Sequence, residues 1–380
     1  MMCWFGGALP AHAVHEKNSK LKTRELRSAW CIASVVLMIG PGSRNLITDV
    51  RGIKIGNGED AAAMTGVTVI LAEGRAVGAV DVRGGAPGTR ETEALLPEGL
   101  NVGIDAIVLS GGSVFGLDAA GAVTNWLAHT GRGYRLAGAP MVAPIVPAAI
   151  LFDLTNGGDK NWGAEPPYRK LAVSACESLS SDFVLGNVGA GFGCRAGAYK
   201  GGLGSASVVT DDGFEIGAIV AVNSFGSPVM PGSSTLWAWP FEQKGELGHQ
   251  IPPKGGVVDL GMPGDIKRPP QPMQNTTIAV VAVNAMLSPA QGKRIAIMAQ
   301  DGLARSLRPV HTAVDGDVVF VMATGERTLR EPLPYQISML GSLAADCLAR
   351  AVGRGVFEAK AMGPWEAYRT VHAKGFSQRA

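Results

Sequence analysis

The stretch that most constrains this chain is Gln274-Asn275-Thr276-Thr277-Ile278-Ala279-Val280-Val281-Ala282-Val283-Asn284-Ala285, which begins abruptly after a long Pro/Gly-rich segment. Val, Ile and Thr suit a buried strand, and the punctuation before them marks where that strand starts. The first strand position is then Thr276. A threonine after an asparagine is, by itself, ordinary chemistry for the start of a strand, because Asn favours turns and Thr favours sheet.

The same position also suits a nucleophile. A Thr hydroxyl reacts poorly unless a base lies beside it, and cutting the chain before the threonine turns its own α-amine into that base. An α-amine titrates near pH 8, so a useful share is unprotonated at neutral pH. The sequence therefore raises Asn275-Thr276 as a self-cleavage site, with Thr276 as the nucleophile of an amide hydrolase.

Composition narrows the alternatives. A chain that is 46% hydrophobic and 17% charged can bury a sizeable core, and a net charge of +2 gives no general electrostatic footprint for nucleic acid. The 52 glycines cluster in loops between apolar runs, where they read as tight turns and close backbone approaches. Cys3, Cys31, Cys176, Cys194 and Cys347 are scattered and odd in number, which indicates a reducing, cytoplasmic compartment without a disulfide framework. No HExxH or similar metal signature is present, so neither metal nor cofactor is expected.

Residues 1–40 differ from the rest, with Lys17, Lys20, Lys22, Arg24 and Arg27 ahead of an apolar run from Cys31 to Ile39. They read as an N-terminal extension, with Met38 as the alternative initiator. A secretory signal over residues 17–40 is the competing reading, against which the apolar run starts late and no A-x-A-type site follows it. That run is too short to span a membrane.

Downstream, Val67–Ala72 and Ala76–Val82 flank Glu73-Gly74-Arg75 and read as a hairpin. Next come the glycine-rich loop Arg83–Glu93, a short strand Ala106–Leu109, and Ser110-Gly111-Gly112-Ser113-Val114-Phe115-Gly116-Leu117 opening a helix to about His129. That glycine run has neither GxGxxG nor a Walker lysine, so it reads as the backbone wall of a small-molecule pocket. A helix follows over about 167–179, then a second glycine loop, 186–204, and strands over about 205–210 and 216–222. Cys194, in that loop, reads as a small core hydrophobe. Residues 227–274 dissolve into Pro, Gly and polar residues, a linker either functional or poorly ordered. Beyond Thr276 the pattern predicts a helix over about 288–307 with Ile295, Met298, Ala299 and Gly302 on its inner stripe, a strand over 318–322, and a helix over about 335–352.

The order of these elements, with Ser110–Leu117, Asn187-Val188-Gly189-Ala190-Gly191, Asn275-Thr276-Thr277-Ile278 and His311-Thr312-Ala313-Val314-Asp315-Gly316-Asp317, resembles the P1 family of self-processing peptidases. That family takes in the DmpA-type aminopeptidases, the β-peptidyl aminopeptidases and the nylon-oligomer endohydrolase. The resemblance runs from about Ser43 to the C-terminus. It implies an α/β fold, an αββα sandwich of the DmpA and ornithine-acetyltransferase type, in which residues 41–275 and 276–380 become two parts of one hydrolase domain.

By position, the resemblance makes Thr276 the nucleophile, Asn223 the amide beside the reacting carbonyl, Lys200 the nearby cation, and Asp315 and Asp317 the acids near the new amine. An amide donor aimed at a developing oxyanion is worth about 3 kcal/mol. Phe115 stands where the nylon-oligomer enzyme has a tyrosine, and the loop acids Glu91 and Glu93 have no evident counterpart there. Both differences favour a peptidase or small-amide hydrolase, and the two acids are candidates to bind a substrate ammonium. The expected partners are a small peptide or amide and further copies of the chain, a tetramer by family resemblance, with no nucleic acid and no membrane. Acyl transfer of the ornithine-acetyltransferase kind, nylon-oligomer-type hydrolysis and a catalytically inactive assembly protein are the competing readings.

Overall fold

The computed structural model describes residues 39–100, 103–253, 261–268 and 275–373. Apart from Ile39 and Gly40, the expectations for residues 1–40 fall outside these, as do the linker segments 254–260 and 269–274.

Eight strands carry the fold: β1 (Ile53–Asp60), β2 (Thr65–Val82), β3 (Ile104–Ser110), β4 (Ala148–Ile150), β5 (Leu203–Thr210), β6 (Glu215–Asn223), β7 (Thr276–Ala285) and β8 (Val318–Arg327). Four helices accompany them: α1 (Asp118–His129), α2 (Tyr168–Glu177), α3 (Pro289–Ser306) and α4 (Leu333–Phe357). One set of strands runs β5, β6, β7, β8 and the second half of β2, with Ile39–Gly40 on the outer edge of β5. The other runs β1, the first half of β2, β3 and β4, ending on Thr89–Arg90. Among these eight strands of the described residues, only β7–β8 and β3–β4 pair in parallel.

The strand sequences are apolar on both faces because each face meets another layer. Ile278, Val280 and Ala282 of β7 and Val318, Phe320 and Met322 of β8 point inward, against Ile55, Ile70, Ile107 and Leu109 of the other sheet. The alternate residues Ala279, Val281, Val283, Val319 and Val321 face outward onto Ile295, Ala299 and Leu303 of α3 and Leu340, Ala344 and Leu348 of α4. On the far side, Val67, Val69, Ala106 and Val108 pack on Ala119 and Val123 of α1 and on Leu171 and Ala175 of α2. The layers are therefore helix, sheet, sheet, helix. α3 starts on a capping box, Ser288 Oγ accepting from Gln291 N and Gln291 Oε1 from Ser288 N.

One expectation fails. Val67–Ala72 and Ala76–Val82 form no hairpin but a single strand, β2, that leaves one sheet and enters the other. Glu73-Gly74-Arg75 lies at a register shift between Leu71 and Ala76, and Glu73 N donates to Gly52 O at 2.7 Å, which keeps the chain extended. A glycine between two apolar runs marks a bulge as readily as a turn. The segment 227–253 is also less linker-like than its composition, since Val229, Leu236, Ala238 and Leu247 are buried in the α4 core.

Phe320 sits fully buried between the two sheets. Phe320→Ala should cost about 3–5 kcal/mol of stability, read as a fall in the urea midpoint at unchanged slope.

Candidate active site

The site is assembled where β7 begins. β6 and β7 pair antiparallel in a register that sets Asn223 opposite Thr276, the last residue of one strand against the first of the other. Both are buried. Thr276 Oγ1 donates to the carbonyl oxygen of Asn275, so the hydroxyl lies against the carbonyl it would have to attack. That same oxygen accepts a second hydrogen bond, from Gly316 N at 2.8 Å, as Asn275 bridges in parallel to Asp315. A backbone N–H aimed at a carbonyl oxygen is the arrangement that stabilises a developing oxyanion.

The loop that supplies Gly316 approaches too closely for any side chain there. A Cβ on Gly316 would stand 2.8 Å from Thr276 Oγ1 and 2.6 Å from Ala86 O. Gly84, at the head of the first glycine-rich loop, is under the same constraint, with a Cβ 2.3 Å from Asp317 N. Ala86 N donates to Asp315 O at 2.8 Å, which ties the two loops together.

The two aspartates hold this geometry. Asp317 Oδ1 accepts from Thr277 N at 2.7 Å, while Oδ2 takes His311 N at 3.1 Å and stands 2.9 Å from His311 Nδ1. Asp315 accepts from Phe225 N at 3.1 Å, Thr312 N at 3.0 Å and Thr312 Oγ1 at 2.5 Å. Burial, and then the neighbouring Asp317, push the Asp315 carboxyl above its ordinary range. Asn275 Oδ1, Thr277 Oγ1 and His311 Nε2 are buried without a hydrogen-bond partner among the described residues. Orphaned polar atoms grouped at one place are unusual in a folded core and point to a working site.

Lys200 is wholly buried, donating to Gly201 O at 2.6 Å and Gly191 O at 3.2 Å, and burial lowers its ammonium to about 8. A second buried lysine, absent from the sequence reading, reaches Asn223: Lys267 Nζ donates to Asn223 Oδ1 at 3.0 Å and to Asn223 O at 3.2 Å. Burial, then the Arg195 guanidinium, bring Lys267 down to about 7. Arg195 N also donates to Asn223 Oδ1 at 3.0 Å, and Asn223 Nδ2 donates to Phe152 O at 3.0 Å. Two donors on Oδ1 fix which way round the amide sits, leaving one Nδ2 proton for another acceptor. Asn223 and Lys267 help line a cavity of about 240 Å³.

The remaining sequence candidates lie elsewhere. Glu91 is exposed and accepts from Val146 N at 3.2 Å, and Glu93 is also exposed. Among the described residues no hydrogen bond or ion pair joins either acid to Asn223, Thr276 or the 311–317 loop. Phe115 is 43% exposed and packs edge-on against Trp162 with centroids 5.8 Å apart. Cys194 is buried, its thiol pushed up to about 12 by burial, which makes it a core residue rather than a nucleophile. Among the described residues no three His, Cys, Asp or Glu side chains gather as a metal-ligand set, and no helix is long and apolar enough to cross a membrane.

The model of peptidase family S58 matches residues 45–368. The chain belongs to peptidase family S58. It is 40% identical over 349 residues to an uncharacterized aminopeptidase of Mycobacterium tuberculosis (strain ATCC 25618 / H37Rv), covering 87% of this chain and 99% of that one. A 6-aminohexanoate-oligomer endohydrolase of Agromyces sp. (strain KY5R) is 29% identical over 340 residues, covering 82% and 86%. Among solved structures, a Burkholderia sp. beta-aminopeptidase superposes with a TM-score of 0.66 at 21% identity, covering 90% of this chain and 96% of the other. The L-aminopeptidase D-Ala-esterase/amidase of Ochrobactrum anthropi, described as a new variant among the Ntn hydrolase fold, gives 0.65 at 21%, also over 90% and 96%. This S58 member is accordingly a hydrolase of aminopeptidase type with an Ntn-hydrolase-type fold.

The two buried lysines give its stability a pH dependence. Their folded pKa values, about 8 and about 7, lie below the unfolded value of about 10.4. The folded state thus binds fewer protons, and this contribution is present above the unfolded value and lost as pH falls through the folded ones. Melting temperatures from pH 7 to 10 should show Lys200→Met with a shallower rise than the unsubstituted protein.

Proposed function

We propose that this S58 hydrolase cleaves its own chain between Asn275 and Thr276 and then hydrolyses small peptides or amides through a Thr276 acyl-enzyme. The observation that carries the reading is the pair of hydrogen bonds on Asn275 O, one from the Thr276 hydroxyl and one from Gly316 N. In the first reaction Thr276 Oγ1 attacks the Asn275 carbonyl carbon, and Gly316 N–H stabilises the oxyanion. The C–N bond breaks, the nitrogen takes up a proton as the new α-amine, and the resulting ester is hydrolysed by water.

The same groups then serve turnover. The freed α-amine of Thr276 takes the proton from Oγ1 as a substrate carbonyl is attacked, and returns it to the leaving amine. The remaining Nδ2 proton of Asn223 is available to the oxyanion. Asp315 and Asp317 act by holding the 311–317 loop and the start of β7 together, and Lys267, with its proton affinity lowered by burial, places positive charge against Asn223. The match with a 6-aminohexanoate-oligomer endohydrolase supports amides beyond α-peptides as substrates.

On a denaturing gel the mature protein should give two bands, the smaller with Thr276 as its first residue. Thr276→Ala should give one. Gly316→Ala, which displaces the backbone donor, should slow cleavage about 10²-fold or more. A chain that stays full length after prolonged incubation would sink the reading.

A further inference from the structure

The 311–317 loop begins on a residue in a conformation uncommon for any residue that carries a side chain. His311 has φ +53°, in the left-handed region that favours glycine. Its ring adds a second cost, because Nε2 is buried without a hydrogen-bond partner among the described residues. Glycine would remove both costs at once. A side chain kept at such a position points to a contact that the fold uses.

That contact is with Asp317, whose carboxylate is buried. Its Oδ2 receives His311 twice, from the backbone N at 3.1 Å and from the ring, where Nδ1 stands 2.9 Å away. Oδ1 accepts from Thr277 N at 2.7 Å. With both oxygens already accepting from backbone N–H groups, the carboxylate is set as an acceptor, and Nδ1 is the ring nitrogen that carries the proton.

The Thr277 N–H belongs to the peptide unit that joins Thr276 to Thr277. His311 therefore stands two hydrogen bonds from the nucleophile's own peptide group, through a single acid. Asp315 offers no substitute, since its hydrogen bonds come from Phe225 N, Thr312 N and Thr312 Oγ1. Without the ring, Oδ2 keeps only the backbone donor, and the carboxylate is freer to turn away from Thr277.

We propose that His311 is a positioning residue for Thr276 that acts through Asp317: its Nδ1–H locks the carboxylate holding the Thr277 N–H, and so fixes the first peptide unit of β7. The inference rests on the self-cleavage reading for what that fixed geometry serves.

Two substitutions separate donor from backbone. His311→Gly relaxes the left-handed turn and removes the donor, whereas His311→Asn tolerates the turn and keeps an N–H donor where Nδ1 stands. In freshly synthesised chain, His311→Gly should slow the appearance of the fragment beginning at Thr276 about tenfold, the worth of a charge-assisted hydrogen bond, and His311→Asn should recover most of that loss. A second readout needs no cleavage. In the Thr276→Ala chain, nuclear magnetic resonance should show the Thr277 amide exchanging with solvent about tenfold faster once His311→Gly is added, and close to its original rate with His311→Asn instead.

Equal cleavage rates in all three chains, an asparagine variant no better than the glycine one, or a Thr277 amide indifferent to residue 311 overturns the positioning role. An unsubstituted chain that never cleaves, with the Thr277 amide still responding to glycine and recovering with asparagine, leaves the contact standing and overturns the self-cleavage reading.

Discussion

Everything in the site depends on the β6–β7 register. With a side-chain period of two, a one-residue slip would turn Thr276 from its present face and bring the apolar set of β7 to the wrong layer, so core packing and the Asn223–Thr276 pairing specify the same alignment. Val281 facing α3 and α4 while Val280 faces the second sheet holds Thr276 opposite Asn223. The loop from His311 to Asp317 then locks the strand start through Thr277 N and Gly316 N. The Thr276 hydroxyl and the Asn275 carbonyl are thereby held by the β6–β7 ladder, Gly316 N and the Asp317 carboxylate.

The electrostatics follow from that burial. Asp315 and Asp317 lie close together in the interior, and their hydrogen bonds to backbone N–H groups, Thr312 and His311 offset the cost of desolvation. Lys200 and Lys267 meet it differently, donating to carbonyls and to Asn223 while their affinity for a proton falls. A base near its own pKa at neutral pH costs less to bury than a permanent charge, which is why lysine suits these two positions and arginine would not.

β2 joins the two sheets covalently. An 18-residue strand that changes sheet at a bulge makes the two halves of the sandwich neighbours by construction. Its end runs directly into Gly84 and Ala86, which pack on the 313–317 turn. The glycine-rich loop thus meets the site at its beginning. Glu91 and Glu93, further along it, fall beside β4 at the sheet edge, and nothing in the spacing of the loop distinguishes its two ends.

Local chemistry determined much of this protein: apolar β-branched runs became buried strands, Ser288 and Gln291 started a helix, and an asparagine followed by threonine marked where β7 begins. These are properties of neighbouring residues, and the family motifs are of the same short range. The tertiary structure alone decided that Glu73-Gly74-Arg75 is a bulge, because turn and bulge share a composition and differ only in which strand lies alongside. It also decided that Lys267, from a Pro-rich segment, reaches Asn223 and that the backbone N–H of Gly316 reaches the Asn275 carbonyl. A buried lysine and a main-chain donor carry no sequence signature, since each is defined by what comes near it from distant parts of the chain.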